Sequence, residues 1–326
     1  MKRMKKWLAL LLASASILAL TACSDSGNTP SSRNEPSGDG ETVVGISLAT
    51  ATNNPHIANV ANALKEAVEA QGWTADLQDA DNDSSKQSTQ FDTLVTKGVD
   101  LIFYWANDAQ AGVSDCKKAA DAGIPVIAYF ADCAEEAHQY IEAYVGADQL
   151  VIATEVGNYV TEQLGGQGNI CIINGKEGKT DFVLRSQGFR EAIESSGGDY
   201  TILAEEYSDS DRTQAQTIME NFLTTYPDID VVFTASDDFG YGALNALEAA
   251  GRAGEIMLVS IDGQQEVLQA IKDGKWDLTV YQTPEMMADK AIEVAQKVLA
   301  GEEIDEYNQN TDYYLVTAEN VDDYLE

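Results

Sequence analysis

From residue 42 onward, short β-branched runs alternate with stretches whose apolar residues recur at helical spacing, and this alternation constrains the chain more than any other feature. Residues 43–48 read as a strand. Ile57, Val60, Ala61, Leu64 and Val68 then repeat every three or four positions, with Gly72 as a stop. Strands follow at 73–77, 101–104 and 125–130, separated by helices that run from Ser84 or Ser85 to Thr96 and from about Gln110 to Gly123. The pattern restarts after Tyr144-Val145-Gly146. Helices at 148–164, 181–195, 212–226, 241–250 and 265–273 alternate with strands at 169–173, 201–207, 231–234, 257–261 and 277–281. A last helix spans 284–300. Such an order predicts an α/β fold of parallel sheets with right-handed crossovers. Its restart predicts two doubly wound lobes, with a ligand site beyond the C-terminal strand ends where the lobes face each other.

The first 22 residues stand apart. Lys2, Arg3, Lys5 and Lys6 precede a short apolar run, Trp7 to Leu20, which is the order of a secretory signal. Its end, Leu20-Thr21-Ala22-Cys23, resembles the lipobox of bacterial lipoproteins. The resemblance implies cleavage before Cys23, acylation of that cysteine, and an extracytoplasmic protein held to the bacterial cell membrane by its lipid. Residues 24–41, rich in Ser, Gly, Pro, Asn and Asp, read as a flexible tether with a reach of roughly 24 Å.

Charge narrows the partners. The chain has 20 Lys+Arg, four of them in the signal, against 54 Asp+Glu, so the mature chain stands at −38. A surface so acidic repels nucleic acid and anionic lipid headgroups. Only His56 and His138 are present, which argues against a histidine-based zinc site or a Ser-His-Asp hydrolase. Gly-x-Ser-x-Gly is absent, and Gly178-Lys179-Thr180 lacks the first glycine of a phosphate-binding loop and reads as a plain turn. Asp79, Asp81 and Asp83 alternate like the start of a calcium loop, but Ser84 and Gln90 replace the glycine and glutamate it needs. No cofactor or metal is called for. Apart from Cys23, three cysteines remain. Cys171 sits in an apolar run and reads as a buried thiol. Cys116 and Cys133 leave both a disulfide and two free thiols open.

Thr52-Asn53-Asn54-Pro55, Arg185-Ser186-Gln187-Gly188-Phe189, Ile261-Asp262-Gly263 and Tyr281-Gln282-Thr283-Pro284 together resemble the type I periplasmic binding proteins, most closely the ribose- and galactose-type sugar-binding components of ABC importers. The likeness covers the chain from Thr42 onward. It implies two lobes, 42–146 plus 284–311 and 147–283 plus 312–326, joined by a three-stranded hinge. It also implies capture of a neutral sugar or polyol in the cleft by a monomer, and delivery to a membrane permease. Asn54, Arg185, Asp262 and Gln282 fall on the family's sugar-contacting positions. Elsewhere the ribose pattern is not kept. Phe130-Ala131, with Asp132 one step on, replaces a charged pair, Ser236 replaces an asparagine, and His56 with Ile57 replaces paired aromatics. These departures point away from ribose itself. Trp105 is the expected stacking ring, with Phe130 beside it, and Phe182, Phe239 and Tyr241 are further aromatic candidates at strand ends. His56 reads as a solvated helix-start residue. A ligand sensor for a chemoreceptor or sensor kinase, and an extracellular carbohydrate-active enzyme using carboxylates such as Asp237-Asp238, remain as alternatives.

Overall fold

The computed structural model describes residues 40–51, 55–209 and 212–325. The signal, Cys23, most of the tether and Asn54 lie outside the described residues.

Two six-stranded sheets carry the chain. In the first, β1 (Val43–Leu48) lies between β2 (Thr74–Asp79) and β3 (Leu101–Trp105). The sheet continues through β4 (Val126–Tyr129), β5 (Ala143–Gly146) and the late β11 (Asn308–Asn310), all parallel. Helices α1 (Pro55–Ala70), α2 (Ser84–Lys97) and α3 (Ala109–Asp121) make the crossovers, and α9 (Pro284–Leu299) returns to pack against α1. The strand period of two feeds both faces. Leu101, Phe103 and Trp105 enter one apolar cluster with Val60, Leu64 and Met287, while Ile102 and Tyr104 enter another with Phe91, Leu94 and Cys116. With helices on both faces, the central strands are apolar throughout rather than alternating.

The second sheet repeats the plan. Its order is β7 (Asp199–Tyr207), β6 (Gln167–Asn174), β8 (Val231–Thr234), β9 (Met257–Asp262), β10 (Leu278–Tyr281) and β12 (Tyr314–Thr317). The last pair is antiparallel, so this lobe is not purely parallel. Helices α4 (Gln149–Leu164) and α5 (Thr180–Ser195) cover one face, where Phe189 stacks on Phe233 at 4.2 Å. Helices α6 (Arg212–Thr225), α7 (Asp237–Ala250) and α8 (Gln265–Lys272) cover the other.

The chain passes between the sheets after Gly146, after Tyr281 and after Asn310. The first and third passages are tied together by Thr311 N donating to Gly146 O at 3.0 Å. The Tyr144 hydroxyl donates to Phe130 O (3.1 Å) and Ala147 O (2.8 Å), joining a strand end of the first lobe to the start of the passage. Cys116, Cys133 and Cys171 are all buried.

Candidate functional site

The C-terminal ends of the two sheets meet across a cleft of about 480 Å³, its mouth included. The first lobe contributes Thr50, Ile57, Trp105 and Phe130, and the second contributes Lys179, Asp181, Phe182, Arg185, Ser236, Asp238, Phe239 and Asp262. Strand ends set most of these positions. Thr50 follows β1, Trp105 ends β3, Phe130 follows β4, Ser236 precedes α7, and Asp262 ends β9. Phe130 (φ +67°) and Asp262 (φ +139°) hold backbone conformations that cost a non-glycine residue energy, as happens where a site dictates side-chain direction. The next residue, Gly263 (φ +82°), admits no Cβ, which would stand 2.5 Å from Tyr281 Cα.

Arg185, on α5, is 1% exposed. Its Nε donates to Gln149 Oε1 (2.7 Å), and its Nη1 donates to Ala235 O (2.7 Å) and to Asp262 Oδ1 (3.0 Å). The fork is thereby fixed from behind, and Nη2 has no protein partner. Trp105 and Phe130 form an aromatic wall, ring centres 4.5 Å apart. Phe182 and Phe239 face them from the other lobe, 5.6 Å apart. Lys179 Nζ lies 6.0 Å from both the Trp105 and Phe182 rings and donates to Asn82 Oδ1 in the opposite lobe at 3.0 Å. Ala109 N donates to Gly178 O at 3.1 Å and Lys176 Nζ donates to Asn82 O at 3.4 Å, so the same turn bridges the lobes through three residues.

Charge inside the cleft is locally offset. Burial lowers the Lys179 pKa and raises those of Asp181 and Asp238, with nearby cations opposing each rise. Asp238 is held by Arg212, whose guanidinium also meets Glu266. Beneath the floor, Asp237 is fully buried among Ser260, Thr279 and Gln264, and burial first, then the Asp262 charge, push its carboxyl up to about 8.

Of the residues singled out in the sequence, Trp105, Phe130, Arg185, Ser236 and Asp262 are brought together around the cleft. Gln282 is buried at the second passage, its amide without a protein partner and outside the cavity lining. Asp132 is not a lining residue. It accepts from the Tyr307 hydroxyl (2.7 Å) and lies 2.9 Å from His138 Nε2, because the chain entering β11 is bonded to β5 through Tyr144 N and Tyr307 O and so reaches the segment after β4. His56 is not solvated: it is 7% exposed, its ring 6.5 Å from Phe130, and burial lowers its pKa. Asp81 is exposed, and Asp83 rather than a serine caps α2. Thr50, Lys179 and Asp181 were not singled out as site residues. The strand-end rule reaches Thr50, and a lysine and an aspartate opening a helix at a strand end were the available signal for the other two.

A sequence profile of the periplasmic binding protein domain family matches residues 44–303. The chain is 30% identical over 304 residues to a ribose import binding protein of Bacillus subtilis, covering 92% of this chain and 95% of that one. An ABC transporter solute-binding protein of Bacillus halodurans with bound myo-inositol superposes with a TM-score of 0.82 at 29% identity, over 88% of this chain and 98% of that one. The fructose-binding periplasmic domain of a hybrid two-component system superposes with a TM-score of 0.80 at 26% identity, over 87% and 93%.

Proposed function

The chain belongs to the periplasmic binding protein domain family, and we propose that it captures a neutral sugar or polyol between its lobes and delivers it to an ABC permease. It is a binding protein and not an enzyme. One observation carries the ligand class. Thr50 Oγ1 and Trp105 Nε1 on one lobe, and Asp181 Oδ1 and Arg185 Nη2 on the other, are buried polar atoms without a protein partner around a single cavity. Each such atom costs about 1–3 kcal/mol when its hydrogen bond is unmade. The set mixes donors with acceptors, and a hydroxyl is the group that both donates and accepts. Two aromatic walls suit the apolar faces of a sugar ring.

In this reading Arg185 and Asp262 grip the edge of the ligand, Trp105 and Phe130 stack on it, and Ser236 completes the floor. Gln282 assists from the hinge and Asn54 from its place in the sequence beyond the first strand. The lobes, 42–146 plus 284–311 and 147–283 plus 312–326, rotate about the three passages. The bridges from Lys179 and Gly178 hold the closed form that the permease recognises. Cys23 carries the lipid anchor, and the monomer works outside the cytoplasm.

The test is a thermal-shift screen over D-ribose, D-fructose, myo-inositol and further pentoses, hexoses and polyols. A ligand at 100 times its Kd adds about 2.7 kcal/mol to stability and raises Tm. No shift anywhere in the panel, or conversion of a sugar to product, overturns the proposal. The likeness to a two-component sensor domain favours one second reading, ligand sensing. Adjacent permease and ATPase genes decide for transport, and an adjacent histidine kinase gene decides for sensing.

A further inference from the structure

Cys116 sits on α3 one helical turn beyond Gly112, both on the buried face of that helix. The segment that follows Phe130 runs along the same helix, since Ala134 N donates to Ala109 O at 3.2 Å. Cys133 belongs to that segment, and its sulfur rests on Gly112. A Cβ at position 112 would stand 2.9 Å from Cys133 Sγ. The glycine therefore makes the space the sulfur occupies, and Cys116 lies one turn up that face beside Asp115. Both side chains belong to one apolar cluster with Tyr104, Ala106 and Ala137, Cys116 fully buried and Cys133 3% exposed. The Cys116 thiol is the foremost influence on that of Cys133, which it and burial push up. Cys171 is buried in β6 of the other lobe and has no part in this cluster.

We propose that Cys116 and Cys133 are joined by a disulfide in the exported protein, formed by exchange with an extracytoplasmic disulfide donor. One thiolate attacks a donor sulfur and expels a donor thiol. The second thiolate then attacks the mixed disulfide and expels the other. One S–S bond forms in the protein, one breaks in the donor, and the two protons leave with the donor, now a dithiol. The inference rests on the extracytoplasmic location that the family implies, the kind of compartment in which such bonds form and persist. The bond has a consequence for the cleft. It fastens the segment carrying Phe130 to α3, next to the Asp132–Tyr307 contact that already holds it, and so fixes one aromatic wall.

The full chain, expressed with its own leader and isolated from the cell envelope, is denatured in N-ethylmaleimide without reductant and mapped by mass spectrometry. The expected result is a linked Cys116–Cys133 peptide, two hydrogens lighter than the reduced pair, with alkylation at Cys171 alone of these three. Reduction of the native protein should lower Tm by about 5 °C, to the value of a Cys116→Ser variant. Reduced protein is also equilibrated with excess oxidised glutathione. Thiols at 116 and 133 that remain alkylatable in the envelope material or after that treatment overturn the pairing. The glutathione arm reads pairing wherever the chain resides, and the sugar screen reads binding whatever the thiols do, so the two proposals fail separately.

Discussion

Asp237→Asn should change how stability depends on pH. Asp237 opens α7 with no exposed surface. Its Oδ1 meets the hydroxyls of Ser260 and Thr279, and its Oδ2 accepts from Gln264 N at 2.7 Å. No cation is among these partners, and burial, helped by Asp262, pushes the carboxyl up to about 8. In the unfolded chain an aspartate titrates near about 3.9. The folded protein therefore binds the extra proton across the whole window between those values. Its contribution to stability is complete below the unfolded value and is lost as pH rises towards 8, at about 1.4 kcal/mol per pH unit. Between pH 5 and pH 7 the wild-type protein should lose about 2.7 kcal/mol through this group alone. The substitution removes the titration and keeps the contacts, because an amide oxygen still accepts from Gln264 N and an amide nitrogen donates to the two hydroxyls. Urea unfolding of both proteins, followed by circular dichroism at pH 5, 6 and 7, gives the difference directly. The gap should move by about 2–3 kcal/mol in favour of the variant from pH 5 to pH 7. Parallel curves would refute the argument, since they would mean that the buried carboxyl ionises with its ordinary pKa.

Arg185→Met should abolish the thermal response to sugars and cost about 3–5 kcal/mol of stability in denaturant unfolding, because it strands the Asp262 carboxylate, 6% exposed. Adding Asp262→Asn should recover part of that stability and none of the binding. Full recovery of both would place the ligand elsewhere. Gly188→Ala should lower the urea midpoint by an amount equivalent to about 2–3 kcal/mol, since the new Cβ would stand 2.2 Å from Leu150 O where α5 crosses α4. An unchanged midpoint would show that the two helices part without cost.

The alternation of elements was legible because each central strand is apolar on both faces and each helix carries one apolar stripe, so both periods are written in the residues. The short edge strands β11 and β12 were not. Asn308–Asn310 has no β-branched or apolar residue, and it becomes a strand only because β5 presents an open edge to it. The first turn of α7 was missed for a related reason. Asp237 and Asp238 look like a polar loop until Ser260, Thr279 and Arg212 arrive as partners from strands and helices distant in sequence. Asp132 shows the converse. As a residue past a strand end it looked like a ligand contact, and its partner Tyr307 lies 175 residues away. His56 is the same problem in reverse, a polar helix-start residue that the fold buries near Phe130.

The net charge of −34 also says less about the cleft than it does about the surface. Asp181, Asp238 and Asp262 line the cavity with Lys179 and Arg185, and Arg212 stands against Asp238, so each lining carboxylate has a cation at hand. Burial amplifies every one of these interactions, and any ligand charge would have to be desolvated among charges that already hold one another. A neutral molecule forfeits little on desolvation and gains the buried atoms that have no other partner. The selectivity of the site therefore resides in the positions of a few donors and acceptors.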